Sequence, residues 1–284
     1  MKRILTAAAL LLLGAGCTAR IDERSLVHPV KAGAINTAEL ARAAPRFAAE
    51  QHWIERPDGA RLHAVLLRQP GARATILYFG GNGYAAGHHG PWTAQSFAPL
   101  GVDLLIVDHR GYGLSTGTAS MATAEEDAIA AFDYLRTMSR GPILAHGHSM
   151  GSFMAGHVAA NRDTAGVILE SSATTTEEWV ASRTGGITGK LIRVKIDPAL
   201  KGRGNLANVS RIEEPLLIVV GGKDKTTPPV LSRRLYDASP LPPARKHLVV
   251  VPEANHNNVM IAKTVHAAYA RLIAEATGSS PSSE

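Results

Sequence analysis

The sequence predicts an α/β fold: a mostly parallel central sheet with helices on both faces and an antiparallel hairpin at its N-terminal side. Two observations carry this. Short apolar runs rich in Val, Ile and Leu recur at residues 75–79, 102–107, 143–145, 167–169, 216–220 and 247–251. Strands without polar alternation are buried on both faces, as in a parallel sheet covered by helices. Segments with helical spacing of apolar residues alternate with these runs. A third observation is size: 284 residues, 45% hydrophobic and 19% charged, suit one large domain with a full core rather than a disordered chain.

The first elements concern export. Met1-Lys2-Arg3 is basic, and residues 4–13 form an apolar stretch too short to span a bilayer. Gly14-Ala15-Gly16 leads to Cys17, the one cysteine of the chain. The pattern resembles a bacterial lipobox, with Gly14 where Leu is usual and Leu13 one place earlier. That resemblance implies a diacylated Cys17 at the new N-terminus, on a chain attached to a membrane without spanning it. Thr18 in place of Asp after the cysteine implies outer-membrane sorting, facing the periplasm. A plain secretory signal with an incidental cysteine is the alternative. Residues 1–16 are thus read as signal peptide, 17–45 as a lipid-anchored tether with a short helix at 37–44, 46–276 as the folded domain and 277–284 as a tail.

Within the domain, residues 52–55 and 61–67 flank Pro57-Asp58-Gly59-Ala60, a hairpin signal. Residues 123–136 place Ala128, Ile129, Phe132 and Leu135 on one helical face, with Glu125, Glu126 and Asp127 expected in the first turn, where the helix dipole favours acids. Further helices are expected at 152–160, 230–238 and 259–276.

Chemistry enters at Gly147-His148-Ser149-Met150-Gly151. G-x-S-x-G between a strand and a helix is the sharp turn that lifts a serine nucleophile above a parallel sheet. Its serine is expected in a strained backbone conformation, with glycines where strand and helix pass closely. Such a serine needs a base and an acid, in the chain order Ser, acid, His, each after a strand. Asp224 follows the run 216–220, and His256 follows 247–251. Glu170, at the end of 167–169, is a rival acid. An oxyanion hole requires two N–H donors. Met150 supplies one, and Asn82 in Gly80-Gly81-Asn82-Gly83 is the candidate for the other.

Together with Asp108-His109-Arg110-Gly111-Tyr112-Gly113-Leu114-Ser115, these motifs resemble the α/β-hydrolase superfamily, and more narrowly its small, nearly capless BEM46-like serine hydrolases. The resemblance covers about residues 52–273. It departs at Gly80, where the family usually has a His that braces the oxyanion loop. It implies hydrolysis of an ester, thioester or amide through an acyl-enzyme, with no metal or organic cofactor and a small-molecule or lipid-like acyl substrate. An ester or thioester is preferred. A prolyl-aminopeptidase-type peptidase and a non-catalytic envelope binding protein are the alternatives.

Other residues have plainer readings. His146 is placed beneath the elbow and His148 beside it. His88 and His89 are adjacent, without the helical spacing of a metal pair. Asp108 and Arg110 are read as a turn that buttresses the site. The short cap at 174–206 carries Arg183, Lys190, Arg193, Lys195, Lys201 and Arg203 against Asp197. This is either a solvated face or a surface for anionic headgroups. The net charge of +6 comes with no nucleic-acid motif, so no nucleic-acid partner is expected.

Overall fold

The computed structural model describes residues 18–184 and 193–278. Cys17, the signal segment, Lys190 and residues 279–284 lie outside the described residues. Chain order begins with β1 (Thr18–Ile21), α1 (Glu23–Leu26), α2 (Thr37–Ala43), β2 (Ala48–Glu55), β3 (Arg61–Arg68), β4 (Thr75–Phe79) and α3 (Ala86–Phe97). It continues with β5 (Asp103–Val107), α4 (Met121–Arg136), β6 (Ile143–His148), α5 (Gly151–Ala159), β7 (Gly166–Glu170) and α6 (Thr176–Thr184). The last elements are β8 (Arg193–Ile196), α7 (Leu206–Val209), β9 (Leu216–Gly221), α8 (Pro229–Ala238), β10 (Lys246–Val251) and α9 (Lys263–Thr277).

Eight strands form the main sheet in the order β10-β9-β7-β6-β4-β5-β3-β2. The strands from β10 through β5 are parallel; β3 runs antiparallel to both β5 and β2. This is the α/β-hydrolase fold with the expected N-terminal hairpin. Successive strand residues point to opposite faces, which divides the core into two layers. Leu62, Ala64 and Leu66 of β3 belong to the layer that also holds Phe132 of α4, Met154 of α5 and Leu235 of α8. Val65 and Leu67 face the other way, with Leu40 of α2, Phe97 of α3 and Leu272 of α9.

Several elements differ from the sequence expectation. Helix α4 starts at Met121 because Ser120 and Thr123 form a reciprocal capping box. That moves Glu125, Glu126 and Asp127 past the first turn. Asp127 is instead buried and bound by Arg56 and Arg110 at 2.8 Å. The expected helix at 259–276 is a 3-10 turn, Val259–Ile261, then an extended Ala262, then α9. Helix α3 has no sequence signature, since Gly87, Gly90 and Pro91 lie within it. A Cβ on Gly90 would stand 2.6 Å from Ile35 Cδ1, so close packing selects that glycine.

The stretch read as a tether makes extensive contacts with the rest of the chain. Strand β1 pairs in parallel with β8 as a separate two-stranded sheet. Glu23 Oε1 accepts from Met121 N at 3.0 Å, Val30 O from Gly113 N at 2.7 Å, and Lys31 Nζ donates to Ser115 O at 2.9 Å. Among the described residues, no helix is long and apolar enough to cross a membrane.

Candidate active site

Strand β6 ends at His148, the backbone reverses at Ser149, and α5 begins at Gly151. Ser149 has φ +53°, the left-handed conformation expected of it. The flanking glycines are dictated by space: a Cβ at Gly147 would lie 2.1 Å from Gly151 O, and one at Gly151 2.1 Å from Phe79 O. Ser149 N donates to Glu170 O at 2.9 Å, which ties the elbow to β7.

Asp224 follows β9, held by Thr226 N and Thr227 N, each donating to Oδ1 at 2.8 Å. Its Oδ2 accepts from His256 Nδ1 at 2.8 Å. His256 Nε2 lies 2.8 Å from Ser149 Oγ. Because Nδ1 carries the proton that the carboxylate accepts, Nε2 is left to accept the serine hydroxyl proton. Burial alone would raise the Asp224 carboxyl; the His256 hydrogen bond and charge, with the Thr227 N–H, outweigh it and hold the group below its ordinary value. The structure therefore brings Ser149, Asp224 and His256 together as the sequence placed them.

His148 fixes the backbone of His256. Its Nε2–H donates to His256 O at 2.8 Å, and burial lowers its pKa, which keeps the ring neutral. Glu170, the rival acid, does not take the place of Asp224. Its Oε2 lies 3.3 Å from His146 Nε2, an ion-pair contact without the geometry of a hydrogen bond. Burial would raise its pKa, but the facing His146 ring and the neighbouring imidazoles outweigh that and lower it. His146 is fully buried beneath the elbow, stacked on Tyr78 with centroids 5.1 Å apart.

The loop after β4 carries Asn82 beside the serine. A Cβ on Gly81 would be 3.2 Å from Ser149 Cβ and 2.9 Å from His148 Nδ1, so only glycine lets the loop come this close. Among the described residues, neither Asn82 N–H nor Met150 N–H donates to a protein acceptor. The Asn82 side chain is clamped from two sides. Its Oδ1 accepts from His28 N at 2.7 Å and Tyr112 Oη at 2.8 Å, and its Nδ2 donates to His28 Nδ1 at 2.7 Å.

At Gly80, where a bracing His is usual, the space of a side chain is filled by the Tyr84 ring. His109 braces the loop instead, donating from Nε2 to Gly80 O at 2.8 Å. Asp108 adds a second strut: its Oδ1 accepts from Ala86 N at 2.7 Å at the start of α3, and its Oδ2 pairs with His63 Nδ1 at 2.7 Å. Sequence reasoning placed Asp108 correctly as a buttress but missed His109, its neighbour in the same motif. For His28 no sequence signal exists, because it lies 54 positions before Asn82.

Two cavities meet at Ser149. One, of about 310 Å³, has a mostly apolar surface from Leu26, Met121, Met150, Phe153 and Trp179, with Ser25, His28, Thr176 and Arg183 also among its walls. The other, of about 600 Å³, is lined by Tyr78, Tyr84, Trp92, His148, Glu170 and His256, among others. Asn82 borders both. Among the described residues, no group of His, Cys, Asp and Glu is arranged to hold a metal ion.

Residues 70–197 match the family model described as Serine aminopeptidase, S33. Protein bem46 of Schizosaccharomyces pombe is 26% identical over 234 residues, which cover 80% of this chain and 77% of that protein. Lysophosphatidylserine lipase ABHD12 of Macaca fascicularis is 31% identical over 179 residues, covering 58% of this chain and 45% of that protein. Among solved structures, the Pyrococcus furiosus esterase Pf2001 superposes with a TM-score of 0.67 at 16% identity, covering 88% of this chain and 98% of that one. That likeness shows the shared fold.

Proposed function

We propose that this chain, a member of the α/β-hydrolase superfamily, is a serine hydrolase that cleaves carboxylic ester or thioester bonds through an acyl-enzyme. The observation that carries the reading is the continuous relay Asp224–His256–Ser149, with both contacts at 2.8 Å and the serine on a strained elbow. Ser149 Oγ attacks the acyl carbonyl while His256 Nε2 takes its proton. Asp224 holds the ring in the required tautomer and offsets the imidazolium charge. The charge on the tetrahedral oxygen falls to Met150 N–H and Asn82 N–H. His256 then protonates the leaving group, and water repeats the sequence on the acyl-serine.

The two cavities orient the substrate. The proton must pass from His256 to the leaving group, and His256 lines only the larger cavity of the two. The leaving group therefore belongs there and the acyl chain in the apolar one. A cavity of about 310 Å³ beside the serine gives room for an acyl chain. This suits a medium-length, lipid-like acyl chain, in keeping with the lipase and esterase names of the relatives.

A second reading, a serine aminopeptidase, is favoured by the description of the family model that matches. A fluorophosphonate probe and p-nitrophenyl esters of graded chain length separate the two. The ester reading expects labelling at Ser149 and turnover that peaks at medium chain length. No labelling defeats both readings, and cleavage of aminoacyl amides without esters selects the peptidase.

Anchoring through Cys17 on the periplasmic side of the outer membrane is part of the same proposal, supported by the lipobox-like run before it. Incorporation of labelled palmitate into the full chain, abolished in Cys17→Ala, is the expected result; equal labelling of the variant would discard it.

A further inference from the structure

The larger cavity contains a charged group for which the relay has no use. Glu170 is 2% exposed and lines the space assigned above to the leaving group; its Oε2 faces His146 Nε2 at 3.3 Å without the geometry of a hydrogen bond. A buried carboxylate without a full set of donors is costly, and such a group asks for a partner. Among the described residues no Lys or Arg lines the cavity, although the whole chain carries a net charge of +6. The apolar cavity, by contrast, has Arg183 in its wall.

The other walls fit the same chemistry. Tyr78, Tyr84 and Trp92 line the cavity, and Trp92 is 43% exposed, with no ring partner among the described residues. The Tyr78 ring is stacked on His146 and the Tyr84 ring on His89, so Trp92 offers the open face; an aromatic face and a carboxylate in one cavity attract an ammonium ion together, through ring quadrupole and negative charge. His148 is kept neutral by burial, so it adds no opposing charge.

We infer that the larger cavity is a leaving-group subsite for a cationic alcohol, with the Glu170 carboxylate and the Trp92 ring receiving an ammonium carried by that alcohol. The inference rests on the ester-hydrolase reading for its orientation. In the reaction the Ser149 Oγ–acyl bond forms, the acyl–oxygen bond to the amino alcohol breaks, and the serine proton reaches the alcohol oxygen through His256. Water then releases the carboxylic acid.

The test compares a medium-chain choline ester with its uncharged isostere, in which carbon replaces nitrogen. In the wild type, kcat/KM should favour the choline ester by about tenfold, the size of a partly exposed cation–π contact together with one charge interaction. Glu170→Gln and Trp92→Ala should each bring that ratio towards one. If Glu170 serves only to balance the neighbouring histidines, Glu170→Gln slows both esters alike and the ratio stays, which overturns the inference. A wild-type ratio of one or below does so as well.

Should Glu170→Gln not fold, free choline provides the measurement. It should inhibit hydrolysis of the neutral ester competitively in the wild type; absence of inhibition overturns the inference. Fluorophosphonate labelling separates the two levels. Labelled Ser149 with a neutral-ester preference leaves the hydrolase reading intact and removes the subsite. Without labelling, calorimetric titration of choline into the wild type still decides whether the cation site exists.

Discussion

Ser149 has φ +53°, a backbone state that costs a residue with a side chain on the order of 1–3 kcal/mol. What holds it there is the bond from its N–H to Glu170 O and the two glycines that leave no room for another path. Stability and reactivity are therefore opposed at this position. Ser149→Gly is expected to stabilise the fold by up to about 1 kcal/mol while abolishing turnover; chemical denaturation and an ester assay measure the two effects. Asp224→Asn should retain the fold and lower kcat by about 10⁴-fold, because the amide no longer favours the tautomer with a free Nε2. A drop of tenfold or less would mean that the Asp224–His256 contact at 2.8 Å does not govern the base. These three residues were legible in the sequence because each follows an apolar run in the order the relay needs. His109, His28 and Tyr112 were not, since their roles depend on loops that meet only after folding.

At the scale of elements, the segment before the sheet has the largest unexpected part. Residues 23–33 bond to the turn after β5 and to the start of α4, and His28 grips Asn82 through both its backbone N–H and its ring. A side chain held by three hydrogen bonds fixes the direction of its own backbone amide. His28→Ala removes one of the three and should lower kcat by about tenfold with KM little changed, because it displaces a transition-state donor and leaves ground-state binding intact. A rise in KM at constant kcat would instead assign His28 to substrate binding through the cavity that it lines. The boundaries of α4 and α9 escape the sequence for a local reason: capping bonds and a single extended residue end helices, and periodicity does not detect them. Helix α3 is invisible there because its two interior glycines are chosen by contact with Gly33 and Ile35, against helical propensity, and Pro91 also lies within it.

For the molecule as a whole, two buried histidines and two buried carboxylates shift in the same direction. Burial lowers His109 and His148 below the ordinary 6.5, so the unfolded chain takes up protons there before the folded one does. Asp224 and Glu170 are held below the ordinary 3.8 and 4.5 by their histidine partners. In both cases the folded pKa is depressed, so the stabilising contribution is complete above the ordinary value and disappears as pH falls through the folded one. Unfolding free energy should therefore decline in two stages on acidification, the first beginning near pH 6.5 and the second near pH 4.5. Urea unfolding across a pH series checks this, with Glu170→Gln expected to reduce the second stage; stability rising towards acid would contradict the assignment. The basic run of the cap is also modified by its surroundings. Arg203 pairs with Glu125, and Arg183 lies over the Trp179 ring at 5.3 Å, so fewer of its charges are free for an anionic surface than the sequence suggests.

The sequence by itself determined the fold class and the hairpin, and it picked out Ser149, His256 and two acids, Asp224 and Glu170, as candidates at the ends of strands. Apolar periodicity and a short strained turn are local properties, and local properties survive in a linear string. Tertiary structure alone decided which carboxylate meets His256, how a loop without its usual histidine is braced, and that two cavities meet at the serine. Each of these depends on distances between residues far apart in the chain, such as the 54 positions from His28 to Asn82, and no window of sequence contains them.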